Sequence, residues 1–226
     1  TFLQYIAQML QQPEIRPSWH PMILSETGTG KGFLFKAIIN PLLCGQTQQV
    51  KKFSELTGKF SNALKGTICV VLDDCKATRA DQQTQLKSMM TEERVLLEEK
   101  GLAAGMVPTF SRIILFSNEE VPLNLDDSVR RWFIPRRLEY SNGLKGDEGR
   151  KDRLTNVIEP LAQWLKLDGA LEAVYKFFME YDLSDFNPHS PPVTETLRQQ
   201  IEKSVTVEQA FTSEFLEEHP IKVLKS

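Results

Sequence analysis

Two patterns of hydrophobic and polar positions alternate along this chain. Short apolar runs that no polar residue interrupts mark strands buried on both faces. Longer stretches in which apolar residues recur every three or four positions mark helices with one face on a core. FLQYIAQML puts Phe2, Ile6, Met9 and Leu10 on one helical stripe, and Pro13 ends it. PMIL reads as a short buried strand, and FLFKAIINPLL as a helix stopped or kinked near Asn40–Pro41. The polar stretch GQTQQVKKFSELTGKFSNALKG is expected to be helical in pieces, broken around Gly58. TICVVL, a β-branched run between Gly66 and Asp73, predicts a buried strand, and DQQTQLKSMMT a helix after it. RVLLEEKGLAAGMVPTF reads as two short strands about a Gly-containing turn, and RIILFSN as another buried strand. DRLTNVIEPLAQWL and ALEAVYKFFMEY are amphipathic helices, DFNPHSPP is a Pro-rich connector, and TETLRQQIEKS and VEQAFTSEFLEE are two further helices.

Strand and helix thus alternate from Pro21 to about Tyr140, which predicts an α/β fold: a three-layer core with a mainly parallel sheet. The expected division is an N-terminal helical segment (1–20), the core (21–140) and a C-terminal helical region (141–226). A chain of 226 residues, 41% hydrophobic and 25% charged, supports one sizeable core rather than disorder. No run of about eighteen apolar residues is present, so no membrane span is expected. The start at Thr1, with no signal segment, leads to the expectation of a fragment of something longer. Cys44, Cys69 and Cys75, odd in number and without C-x-x-C spacing, read as reduced thiols and a cytoplasmic location. His20, His189 and His219 lack a metal-ligand rhythm. The net charge of −3 excludes a generally basic nucleic-acid coat but leaves room for a local basic surface such as a channel loop.

The candidate chemistry begins at PMILSETGTGKGFLF. Strand, glycine turn, lysine and helix are what a phosphate needs. Glycines let backbone N–H groups close around the anion, the helix N-terminus adds its positive end, and the lysine supplies a mobile charge. Thr27, Gly28, Thr29, Gly30, Lys31, Gly32 and Phe33 are the candidate nucleotide-binding residues. The usual G-x-x-x-x-G-K-[ST] pattern is broken twice: Ser25 replaces the first glycine, and Gly32 replaces the hydroxyl residue that holds magnesium, with Phe33 next. On its own, GTGKG is equally readable as a glycine turn bearing a surface lysine. VVLDD then ends a buried strand in Asp73 and Asp74, where one carboxylate can organise Mg²⁺ and its neighbour can act as base toward water. Asn118 ends RIILFSN, and SVRRWFIPRR offers arginines for a transferring phosphoryl group.

Taken in order, these elements resemble the superfamily 3 helicase branch of the AAA+ P-loop ATPases, of the phage, plasmid and poxvirus-like primase–helicase type. The resemblance runs from Met22 to Arg137 and more loosely includes the flanking helices. It implies a hexameric ring, a homo-oligomer that couples hydrolysis of ATP, with Mg²⁺, to movement along single-stranded DNA, natively fused to a primase or polymerase module. By resemblance GTGKG is the phosphate loop, Asp73 organises magnesium, Asp74 is the base and Asn118 senses the γ-phosphate. Arg131, or else Arg130, would reach a neighbouring subunit's site. The hairpin would enter the ring's channel, with Lys100 its DNA contact and Lys87 a second candidate. The broken loop keeps another reading open: a ring-forming scaffold with a degenerate nucleotide site. GTGKG also resembles the nucleoside monophosphate kinases, but those lack a strand-end DD followed by SN.

Overall fold

A computed structural model describes residues 1–51, 66–74, 80–97, 105–123, 125 and 129–204. Helix α1 (Phe2–Gln11) leads into β1 (His20–Leu24). A continuous helix, α2, follows the glycine turn through Lys31–Phe33, a wider π segment Leu34–Ile39 and Asn40–Leu42. Then come β2 (Thr47–Val50), β3 (Cys69–Asp73) and α3 (Ala80–Thr91). Strands β4 (Arg94–Leu97) and β5 (Gly105–Pro108) form an antiparallel hairpin. They precede β6 (Arg112–Ser117) and the two-residue β7 (Trp132–Phe133). Helix α4 spans Gly146–Arg153, a π segment Leu154–Ile158 and Glu159–Trp164; α5 (Ala170–Met179) and α6 (Glu195–Ser204) follow it.

The main sheet has the order β2-β3-β6-β1-β7, and every pairing in it is parallel. Parallel strands buried on both faces need apolar side chains on both, which is why CVVL and RIILFS show no alternation. One face packs Val70, Leu72, Ile113 and Leu115 against Leu86 and Met90 of α3 and Leu197 of α6. The other packs Val71, Ile114 and Phe116 against α1, α2 and α5 through Ile6, Met9, Phe35, Ile39 and Phe178. The architecture is three layers, as the alternation predicts.

The N-terminal segment belongs to this core. Tyr5 and Trp19 are fully buried in it, and the buried guanidinium of Arg112 at the start of β6 donates to the carbonyls of Gln12, Pro13 and Ile15 just past α1. The Pro-rich connector closes over the same end: the Trp19 indole N–H donates to the Asn187 carbonyl at 2.8 Å.

One expectation is corrected. The stretch after Gly45 does not begin as helix: Thr47–Val50 is the edge strand β2, paired with Cys69–Leu72. Only Val50 in it is buried, so TQQV carries no apolar signature. Helix α2 ends at Leu42, one residue past Pro41, near where the sequence expects it to stop or kink. Proline lacks the N–H of its turn and crowds the carbonyl four residues back; a π segment directly upstream widens that turn. The same device recurs before Pro160 in α4. No helix among the described residues is long and apolar enough to cross a membrane.

Candidate functional site

The sheet register sets the site. Leu24 lies level with Ser117 and Asp73 with Phe116, so the carboxyl ends of β1, β6 and β3 form one edge. In parallel sheets that edge, beside a strand whose connections leave in opposite directions, is where ligands bind. The ladder continues one step past the strands: Ser25 N–H donates to the Ser117 carbonyl at 3.0 Å, and Asp74 N–H to the Phe116 carbonyl at 2.9 Å.

From β1 the chain turns through Glu26–Gly30 into α2, with Gly28 at φ +80° and Gly30 at φ +106°. These are backbone conformations open to glycine and strained for other residues. Gly30 ends the loop directly before α2, whose first N–H groups have no carbonyl behind them. The outer side of the loop is covered by α4 and the segment before it. A Cβ on Gly28 would meet Arg150 at 2.7 Å and one on Gly30 would meet Ile158 at 2.7 Å. Arg153 Nε donates to the Thr29 carbonyl at 3.2 Å, and the Tyr140 hydroxyl donates to the Thr27 carbonyl. Gly149 lets the two approach, because a Cβ there would stand 2.3 Å from the Tyr140 ring. Both loop glycines are therefore required by packing as well as by dihedral angle. Thr29 turns its hydroxyl back onto the Glu26 carbonyl at 3.1 Å.

Lys31 is 8% exposed and points along this edge. Its ammonium donates to Ser25 Oγ and to Asn118 Oδ1. Burial pushes its pKa down from the ordinary lysine value and the Arg137 charge adds to that, while Asp74 and Asp73 pull it up. Asn118 in turn donates from Nδ2 to Asp74 Oδ2 at 3.0 Å, and its backbone N–H reaches Asp74 Oδ1 at 3.1 Å. Asp74 adopts φ +54°, a left-handed conformation uncommon outside glycine, Asn and Asp, which places its carboxylate back over β6. Asp73 is held separately, its Oδ2 accepting from Gln49 Nε2 of β2 at 2.8 Å.

Lys31, Asp73, Asp74 and Asn118 are thus brought together, with Thr27–Phe33 as the loop beside them. Arg130 and Arg131 are not: they form a single turn before Trp132, which lies level with His20 at the opposite end of β1. Lys87 lies on α3, and Lys100 falls outside the described residues. Gln49, Tyr140, Arg150 and Arg153 escaped the sequence reading, and Arg137 entered it only as one of the arginines of SVRRWFIPRR. Gln49 sits in a strand without an apolar signature, and the others are surface-type residues whose role depends on distant partners. Ser25 was visible only as a departure from a pattern; in the fold it is an acceptor for Lys31.

The donor set suits a hard divalent cation that takes one or two carboxylates and completes its shell with phosphate oxygens and water, as magnesium does. Among the described residues, no group of three or more His, Cys, Asp or Glu stands ready to hold a metal by itself.

Comparison with known proteins bears on the fold. Residues 23–131 match the model of a family of unknown function (DUF5906). The chain is 26% identical over 150 residues to the DNA primase-polymerase of Nitratiruptor phage NrS-1, a match covering 65% of this chain and 20% of that protein. Two apo structures of the NrS-1 C-terminal region share the fold. One aligns at TM-score 0.69 and 18% identity, covering 97% of this chain and 52% of the other; the second aligns at 0.70 and 17%, covering 96% and 50%. The chain therefore spans about a fifth of the full-length relative and about half of the solved region.

Proposed function

We propose that this chain is the nucleotide-hydrolysing motor of a DNA replication protein, a superfamily 3 helicase domain with an AAA+ P-loop core that works as a hexameric ring on single-stranded DNA. The observation that carries the reading is the chain of contacts Lys31–Asn118–Asp74 across the carboxyl edge of three parallel strands. A buried lysine facing two acceptors and two nearby carboxylates is arranged to receive a phosphate anion. The similarity to a phage DNA primase-polymerase supports the replication context, and with it a fused primase or polymerase module.

In this reading the loop N–H groups and Lys31 hold the β and γ phosphates of ATP. Asp73, fixed by Gln49, is the residue that would hold Mg²⁺, which when bound neutralises charge on the phosphates. Asp74 takes the proton of the attacking water. Asn118, hydrogen-bonded to both Lys31 and Asp74, registers the γ-phosphate because an anion drawing Lys31 away must rearrange both contacts. Arg131, far from Lys31 in its own chain, serves the adjoining subunit, and the hairpin carrying Lys100, with Lys87 nearby in sequence, contacts the DNA strand.

The test is strand displacement from a forked duplex in the presence of ATP and magnesium. The wild-type chain unwinds it and Lys31→Ala does not; unwinding that survives this substitution contradicts the proposal. The scaffold reading is favoured by one observation, the absence of a hydroxyl at Gly32 and Phe33. It predicts rings that form normally and hydrolyse no ATP.

A further inference from the structure

Past β7 the chain runs on beside β1 with one residue too many. Pro21 lies level with Phe133 but Ser25 with Leu138, so four steps along β1 face five on the other side. An extra residue in one strand re-aims the side chains next to it. Arg137, directly before Leu138, reaches back over the end of β1. Its Nη2 donates to the Ser25 carbonyl at 3.0 Å and to the Asn118 carbonyl at 2.8 Å, and its Nη1 to the Glu119 carbonyl at 3.1 Å. One guanidinium thus joins the end of β1, the end of β6 and the strand running beside them.

The two residues it ties by their carbonyls, Ser25 and Asn118, are the same two whose side chains accept from Lys31. We propose that Arg137 is a positioning residue of the phosphate site: it holds Ser25 and Asn118 at the spacing that Lys31 bridges, and so sets the Asn118–Asp74 pair. The inference deepens the nucleotide reading above and rests on it. A planar fork of N–H donors suits this task, and an ammonium, a point charge on a flexible stem, does not. The Arg137 charge also stands near enough to Lys31 to act in the same direction as burial on the lysine's proton affinity. Arg137 is distinct in role from Arg131, since it acts within its own chain.

Arg137→Lys and Arg137→Met in the full chain separate the fork from the charge. Arg137→Lys is expected to keep Mg–ATP affinity within about threefold while turnover falls about tenfold or more, because misplacement of reacting groups costs rate more than binding. Arg137→Met should lose turnover equally and weaken ATP binding about tenfold as well. Wild-type turnover and affinity in both variants, with only a lowered melting temperature, would make Arg137 a structural clamp and overturn the proposal. A second readout needs no nucleotide: acylation of the Lys31 amine at one fixed pH, followed by mass spectrometry. With Ser25 and Asn118 no longer held at the spacing Lys31 bridges, the amine should react faster in Arg137→Lys than in wild type, and an equal rate overturns the proposal. If the wild-type chain binds no ATP, the nucleotide reading falls, and this rate alone decides whether Arg137 holds the surroundings of Lys31.

Discussion

Gly32 is the point at which the loop departs furthest from a working phosphate loop, and nothing around it demands glycine. Its φ is not positive and a Cβ there would meet no atom within 4 Å. Gly32→Ser is therefore sterically free. It should gain about 0.5 kcal/mol from helix propensity. It also returns a hydroxyl to the position that holds magnesium in other phosphate loops. The expected outcome is a small rise in urea midpoint together with higher turnover at low magnesium. Lower turnover at every magnesium concentration would mean that this site is built around the bare backbone. Gly28 and Gly30 behave differently, since side chains there would collide with Arg150 and Ile158. The sequence made the loop, its lysine, the acidic pair and Asn118 legible because each stands at the end of an apolar run. It could not reveal that Ser25 accepts from Lys31, that Gln49 bears on the site, or that Arg137 reaches the carbonyls of Ser25 and Asn118, because those relations exist only after distant strands are paired.

At the scale of elements, the buried strands and amphipathic helices could be read directly, and the polar edge strand β2 could not. Edge strands with little buried surface carry little hydrophobic pattern, and TQQV is one. The joining of α1 to the sheet was equally invisible, and it runs through His20. The buried imidazole Nδ1 accepts from the Tyr5 hydroxyl at 3.0 Å and from the Ile113 N–H at 3.2 Å, linking α1, β1 and β6. Two donors on Nδ1 leave the proton on Nε2 and no room for a second. Burial, with the charges of Arg16 and Arg112 beside it, holds the pKa well below the usual 6.5. An unfolded chain takes up that proton near its usual pKa while the folded chain does not. The stability due to neutral His20 is therefore fully present above pH 6.5 and is lost as pH falls below it. The loss is about 1.4 kcal/mol per pH unit until the folded pKa is reached. Urea unfolding between about pH 7 and pH 5 should show this slope, and His20→Gln should flatten it. An equal slope in the variant would assign the acid sensitivity to other groups.

For the whole molecule, the proposed mechanism assigns Arg131 to a neighbouring chain's site. Arg131 lies at the end of the sheet opposite Lys31, separated by the length of β1, about 16 Å of strand. If it completes a neighbour's site, Lys31→Ala and Arg131→Ala should each abolish hydrolysis alone, yet an equal mixture should regain activity. About a quarter of the interfaces would then join an intact loop to an intact arginine. Failure of exchanging oligomers to regain any activity would remove Arg131 from the mechanism.

Whether the carboxyl edge of this sheet binds and hydrolyses ATP is decided by magnesium-dependent ATP turnover with and without single-stranded DNA, for wild type beside Lys31→Ala. Turnover that DNA stimulates and that the substitution removes is the expected result. Oligomers that bind DNA but release no phosphate, or turnover indifferent to Lys31, would contradict it.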